Sequence, residues 1–544
     1  MTSTAAPAST AAPASTDASA LTSSGFASLS VAAILADTAH RFPERTALII
    51  GDQKVKYGEL WQQTLAYAGA LRARGIGKGD RVALLIPNVP DFARAYYAVL
   101  SLGAVVVPVH LLLKAEEIEY VLRDSGAKLL IAAAPMLAEG GKGAAMAQVP
   151  TVSVLLPEEM VEQVPVPRLE DEAKAATPLE RYESTAPLDP ATILYTSGTT
   201  GRPKGAVGCH MSLVEQVHVT LIDLFDVRPD NVLFGGLPLF HTFGQTAVLN
   251  TAFRRGAAII LLPKFDADEA LALMVKHKAT SFVAVPTMFI GLLEAAARNP
   301  ERPPLEYGIS GGASLPVAVL EKFSEVFGAR VHEGYGLTET SPIAATNHQR
   351  DEPVAGTVGR PIWGVDVEIA NADIDDRIEF LPRGELGEIV IRGHALFKGY
   401  LGRPDADAEA IVDGWFRTGD LGCKGDDDRI TIVDRKKDMI VRNGYNVYPN
   451  EVEQVLSRLD GVAQVAVFGV PDERHGQEVA AAIIRTPGSS LSVEDVTAYA
   501  SEHMAAYKFP RVVHFVDELP LGPSGKVLKR ELSAQYASEA SATA

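Results

Sequence analysis

Cysteine is scarce in this chain. Cys209 and Cys423 are the only two among 544 residues, and they lie far apart. That excludes a disulfide framework and a cysteine-based metal cluster, and it fits a reducing, cytoplasmic setting. The twelve histidines show no HExxH pattern and no Cys/His ligand spacing, so no structural zinc is expected. Basic residues are outnumbered, 50 Lys and Arg against 68 Asp and Glu, for a formal net charge of -18. Nucleic acid is therefore not expected as the main partner, because phosphate backbones need clustered Lys and Arg. Anionic membranes gain nothing from such a surface either. No apolar run approaches the roughly 18 residues of a membrane span, so no integral membrane segment is predicted. The opening Ala/Ser/Thr/Pro tract has no basic region and no continuous apolar stretch, unlike a signal peptide. Residues 1–25 and 534–544 are both predicted to be disordered tails, since neither can bury enough apolar surface to offset its ordering entropy.

What is present is a large stock of core-forming residues, 47% hydrophobic. The length suits two to four folded units at roughly 100–200 residues each. Strand-like and helix-like periods alternate. Thr46–Ile50 and Arg81–Ile86 read as strands, and Tyr57–Arg74 as a helix ending at Gly75. Asn88 is expected to cap the next helix, and Ala104–Val109 to form the next strand. Such alternation predicts an α/β fold of parallel sheets covered by helices. Between Pro135 and Pro187 the pattern weakens and a long surface connection is expected. Gly384–Arg392 and Arg429–Val433 read as strands of a β-rich subdomain. The expected division is a large domain over 26–434 and a small α+β domain over 435–533.

Thr196-Ser197-Gly198-Thr199-Thr200-Gly201, with Lys204 and Gly205 close behind, follows the strand candidate Ala191–Tyr195. Glycines let the backbone turn tightly and approach a ligand. Successive N–H groups in such turns make an anion-binding concavity. Four hydroxyls and the Lys204 charge suit a polyphosphate. The string is not a Walker A loop, which needs GxxxxGK[ST]. Five further strings follow in order after Leu239-Phe240-His241-Thr242-Phe243-Gly244. They are Ser310-Gly311-Gly312-Ala313, Gly334-Tyr335-Gly336-Leu337-Thr338-Glu339-Thr340, Arg417-Thr418-Gly419-Asp420, Asp434-Arg435-Lys436-Lys437-Asp438 and Pro523-Ser524-Gly525-Lys526.

Together these strings resemble the adenylate-forming superfamily of acyl-CoA synthetases, luciferases and peptide-synthetase adenylation domains. They are most similar to fatty-acyl-CoA ligases, from about Ala32 to Leu532. The resemblance implies an ATP-dependent ligase that makes an acyl-adenylate and passes the acyl group to coenzyme A. The alternative acceptors are an amine or a carrier protein. It assigns Lys526 to catalysis of the first step and His241 to the neighbourhood of the carboxylate and phosphate. Glu339 and Thr196 become Mg²⁺ ligands. Tyr335 packs on adenine, with Gly312, Ala313 and Gly336 nearby, and Thr338 contacts phosphate. Asp420 and Arg435 hold the ribose, and Lys437 is the hinge between domains. The Asn443-Gly444-Tyr445 face admits the thiol. His241, Phe243, Val285, Met288, Phe289, Ser310 and Gly311 are expected around the acyl group, an apolar wall for a fatty or other monocarboxylic acid. His241-Thr242-Phe243 carries no Asp for an ammonium group, which disfavours an α-amino acid.

Overall fold

The computed structural model describes residues 28–196, 202–472, 474–522 and 527–540. The expected N-terminal tail lies outside them. Two large sheets dominate. One is six-stranded and the other nine-stranded, both with parallel pairing through their centres. Their central strands are apolar on both faces, as Leu129–Ala133 and Ala258–Leu261 show, because helices cover both sides. The main core lies between the sheets. It draws Val82, Leu84 and Val106 from one and Leu48, Ile259 and Val283 from the other, around the aromatic helix Pro90–Ser101. A five-stranded antiparallel sheet follows, and its last strand, Ile430–Arg435, pairs with Trp415–Lys424. A second five-stranded sheet, over Ile440–Phe515, carries the helices Pro449–Leu456 and Val493–His503 on a core of its own. Among the described residues no helix is long and apolar enough to cross a membrane.

Three expectations need correction. Residues 135–187 are not a structureless connection; they contain the helices Leu137–Ala147 and Leu169–Ala175 and the strand Thr151–Val154. The first of these helices has poor intrinsic propensity, but its glycines allow close packing. A Cβ on Gly143 would lie 2.7 Å from Ala115 O, and one on Gly140 would lie 2.6 Å from Leu85. Asn88 does not cap the helix that starts at Pro90; the N-cap is Val89 and makes no side-chain bond. The buried Asn88 amide instead donates to Gly235 O and Leu237 O and accepts from Leu239 N at 2.9 Å. The C-terminal helix Lys529–Ala540 runs through most of the expected second tail. Tyr536 anchors it by stacking on Phe468 and His514.

Candidate active site

The site forms where strands of both large sheets end, as α/β sheets dictate. Strand Pro190–Thr196 delivers Thr196, which pairs in register with Lys204 of strand Lys204–Cys209. The turn between them, including Ser197, Gly198, Thr199, Thr200 and Gly201, lies outside the described residues. Its flanks are held firmly. Tyr195 donates to Asp124 (2.8 Å), Tyr120 donates to Pro203 O (2.8 Å), and Arg403 meets the other Asp124 oxygen at 2.5 Å.

His241 sits just after the segment that Asn88 ties down. Its Nδ1 accepts the Phe243 N–H at 3.2 Å, which sets the tautomer with the proton on Nε2. Phe243 begins a π-helical stretch to Asn250, a geometry common at functional sites. The ring of Phe243 lies across Gly311, where an added Cβ would be 3.1 Å from it. Ser310 is buried, and among the described residues its hydroxyl has no hydrogen-bond partner. Gly312 takes a φ of 86°, and Ala313 beyond it is exposed. Val285 and Met288 flank the start of helix Pro286–Arg298 and pack towards the inter-sheet core. Phe289 does not join them. One residue on, the helix has turned about 100°, and its ring is fully buried against Phe282 and Phe323 behind the sheet. It is a core residue rather than acyl wall.

The segment Tyr335–Glu339 spans the site. Strand Arg330–Tyr335 delivers Tyr335, whose hydroxyl donates to Asp420 at 2.6 Å. Arg435 Nε meets the other Asp420 oxygen at 3.0 Å. Asp420 and Arg435 are register partners on adjacent antiparallel strands, so the sheet itself sets this pairing. Burial works against the charge on Arg435, but Asp420, Asp438, Tyr335 and Glu339 together more than offset it, and its guanidinium is held above the usual range. Burial, with Asp420 adding to it, holds the Tyr335 hydroxyl far above its usual range. Gly336 packs against the Pro342 carbonyl with no room for a side chain. At the other end Thr338 opens a short 3₁₀ turn and Glu339 is buried within it. Burial pushes the Glu339 carboxyl up, while the Tyr400 hydroxyl, 2.8 Å from Oε1, works against that shift. Tyr400 was not foreseen. Its only mark in the sequence is its place between Gly399 and Gly402.

These geometries place a buried carboxylate held by Tyr335 and Arg435 at one end of a short segment and a second buried carboxylate held by Tyr400 at the other. An AMP-binding enzyme model matches residues 35–401, and an AMP-binding enzyme C-terminal domain model matches 451–526. The chain belongs to the AMP-binding enzymes. It is an acid–thiol ligase of their AMP-forming, acyl-CoA synthetase kind. The chain is 33% identical over 531 residues to a long-chain-fatty-acid–CoA ligase of Bacillus subtilis, covering 92% of this chain and 94% of that one. A feruloyl-CoA synthase from an Amycolatopsis species is 34% identical over 501 residues, covering 92% and 97%. The crystal structure of an anthranilate CoA ligase with anthranoyl-AMP superimposes with a TM-score of 0.88 at 25% identity, covering 94% of this chain and 98% of that one.

The other expected site residues of this AMP-binding enzyme follow Arg435 in the chain. Lys526 lies outside the described residues. Lys437 is exposed just past the strand Ile430–Arg435; desolvation by its neighbours, and then the Arg435 charge, hold its amine below the usual range. Asn443 and Gly444 form the tight turn of a hairpin, with φ of 52° and 78°. Tyr445 is exposed there and stacks on Tyr507 of the same domain.

Proposed function

We propose that the protein activates an apolar monocarboxylic acid, fatty or aryl, as its adenylate and transfers the acyl group to coenzyme A, in the cytoplasm. The observation that carries this reading is the double anchorage of Tyr335–Glu339. One end reaches Asp420 and Arg435, and the other reaches Tyr400 beside Lys204. A nucleotide laid along it would meet a ribose acceptor and a phosphate-side cation in the right order.

The residues suit the reaction. The substrate carboxylate attacks the α-phosphate, pyrophosphate leaves, and catalysis is chiefly positioning and charge stabilisation. Asp420 would accept from the ribose hydroxyls, and Lys204 would hold the leaving phosphates. His241, with its proton on Nε2, would donate to the substrate carboxylate or phosphate. Glu339 and Thr196 offer hard oxygen ligands for Mg²⁺, and the burial that makes an ionised Glu339 unfavourable is relieved by a bound cation. Mg²⁺ held there would neutralise charge on the phosphate oxygens. Lys526 would assist the first step from the small domain. The Asn443–Tyr445 turn would face the thiol in the second, after the domain swings about Lys437. Phe243, Val285, Met288 and Gly311 supply the apolar surroundings of the acid.

The test is a panel of fatty, aryl and amino acids incubated with ATP and, in separate arms, CoA, an amine or a carrier protein, with products read by mass spectrometry. Acyl-CoA from apolar acids is the expected product. Amides, carrier-protein adducts or products from α-amino acids alone would overturn the reading.

A further inference from the structure

The stretch from Phe397 to Asp407 crosses the base of the phosphate strand. Its backbone adds to the edge of Lys204–Cys209, with Lys398 N on Val207 O (2.8 Å), Val207 N on Gly399 O (3.1 Å) and Leu401 N on Gly205 O (2.8 Å). Phe397 N also bonds Glu339 O at 2.8 Å. Tyr400 sits at the centre, its backbone N held by Asp407 at 2.6 Å. Its side chain then does two things at once. The hydroxyl donates to Glu339 Oε1 at 2.8 Å, and Lys204 Nζ stands 5.2 Å from the ring centre. One side chain therefore joins the carboxylate at one edge of the phosphate region to the ammonium at the other.

We infer that Tyr400 is a positioning residue for the phosphate end of the site, fixing Glu339 through its hydroxyl and Lys204 through its ring. This rests on the nucleotide reading above. The bond to Oε1 restrains the orientation of the carboxylate. A donor of this kind behind a metal-binding carboxylate commonly changes metal affinity by about 10–100-fold. The ring face attracts an ammonium group electrostatically and limits where Lys204 can point.

Calorimetry separates the two effects. AMP, which needs only the Tyr335–Asp420–Arg435 end, should bind the parent and Tyr400→Phe within about twofold of each other. Mg·ATP should bind Tyr400→Phe about tenfold more weakly, with the Mg²⁺ dependence of binding moved to higher concentration. Tyr400→Leu, which lacks the ring as well, should also weaken metal-free pyrophosphate, whereas Tyr400→Phe should not. In a Glu339→Gln background the Tyr400→Phe change should cost less than about twofold more, because the pair acts as a unit. Parent-like Mg·ATP binding by Tyr400→Phe would overturn the inference, as would equal loss of AMP and Mg·ATP. Failure of the parent to bind AMP would instead strike the nucleotide reading itself.

Discussion

Gly336→Ala should nearly silence the enzyme without unfolding it. A methyl group on Gly336 would sit 1.7 Å from Pro342 O, 2.8 Å from Pro342 C and 2.9 Å from Thr340 Oγ1. Carbon–oxygen contacts are normally no closer than about 3.3 Å, so roughly 1.6 Å of overlap must be relieved. The obstacle is backbone, and the Pro342 carbonyl is itself held by Thr340 Oγ1 at 2.8 Å, so no rotamer change removes it. The Tyr335–Glu339 segment must move instead. Overpacking of this kind costs about 1–3 kcal/mol of stability, which a chain of this size tolerates. A displacement of about 1 Å at the reacting centre can cost about 100-fold in rate. Because Tyr335 and Glu339 flank the site of the clash, both ends of the nucleotide should suffer. The assay is pyrophosphate release with saturating acid, alongside AMP binding and thermal melting. Gly141→Ala is the control. It lies within helix Leu137–Ala147 with nothing within 4 Å of an added Cβ, so it should keep full activity. A Gly336→Ala enzyme with parent AMP affinity and rate would refute the claim that this segment sets both anchor points.

Three other outcomes are expected, the first from the family resemblance and the other two from the structure. Lys526→Ala should abolish adenylate formation yet leave thioester synthesis from pre-made acyl-adenylate largely intact; equal loss in both half-reactions would remove that assignment. Gly311→Ala would place a methyl 3.1 Å from the Phe243 ring and push it into the cleft. The resulting kcat/KM loss should be greater for bulky acids than for short ones, and a uniform loss would count against an acyl wall there. Burial pushes the Glu333 carboxyl up to about 7, and among the described residues its Oε2 has no hydrogen-bond partner. The folded chain thus keeps a proton that the unfolded chain releases near pH 4.5. Stability conferred by that difference is present below the lower value and is lost as pH rises to about 7, by about 3 kcal/mol. Glu333→Gln should differ least from the parent in urea melts near pH 4 and exceed it by more at pH 8; a difference independent of pH would contradict the cause given.

The sequence was most legible where local pattern and global fold agree. The strands ending at Ile50 and Leu85 and the helix starting at Tyr57 follow from periodicity and end signals, and the structure has them within a residue or two. Where residues serve distant partners the reading failed. Asn88 looked like a cap because its side chain suits one, yet it is committed to a loop about 150 residues away, and only the folded chain brings the two together. The helix Leu137–Ala147 was hidden because its glycines reflect close approach to Ala115 and Leu85 rather than a turn. Phe289 was misread because residues adjacent in a helix face different sides, and the phase of that helix depends on where Pro286 starts it. Tyr335, Asp420 and Arg435 were nameable only through their family resemblance. Their meeting depends on antiparallel register between two strands, which no local pattern encodes. Tyr400 was missed for the same reason, since its partners lie about 60 and 200 residues away.

The most direct test of the central claim is exchange of labelled pyrophosphate into ATP with no thiol present. A reversible acyl-adenylate on this chain predicts exchange that requires an apolar carboxylic acid and proceeds without coenzyme A. Exchange that ignores the acid, or that appears only when coenzyme A is added, would contradict it.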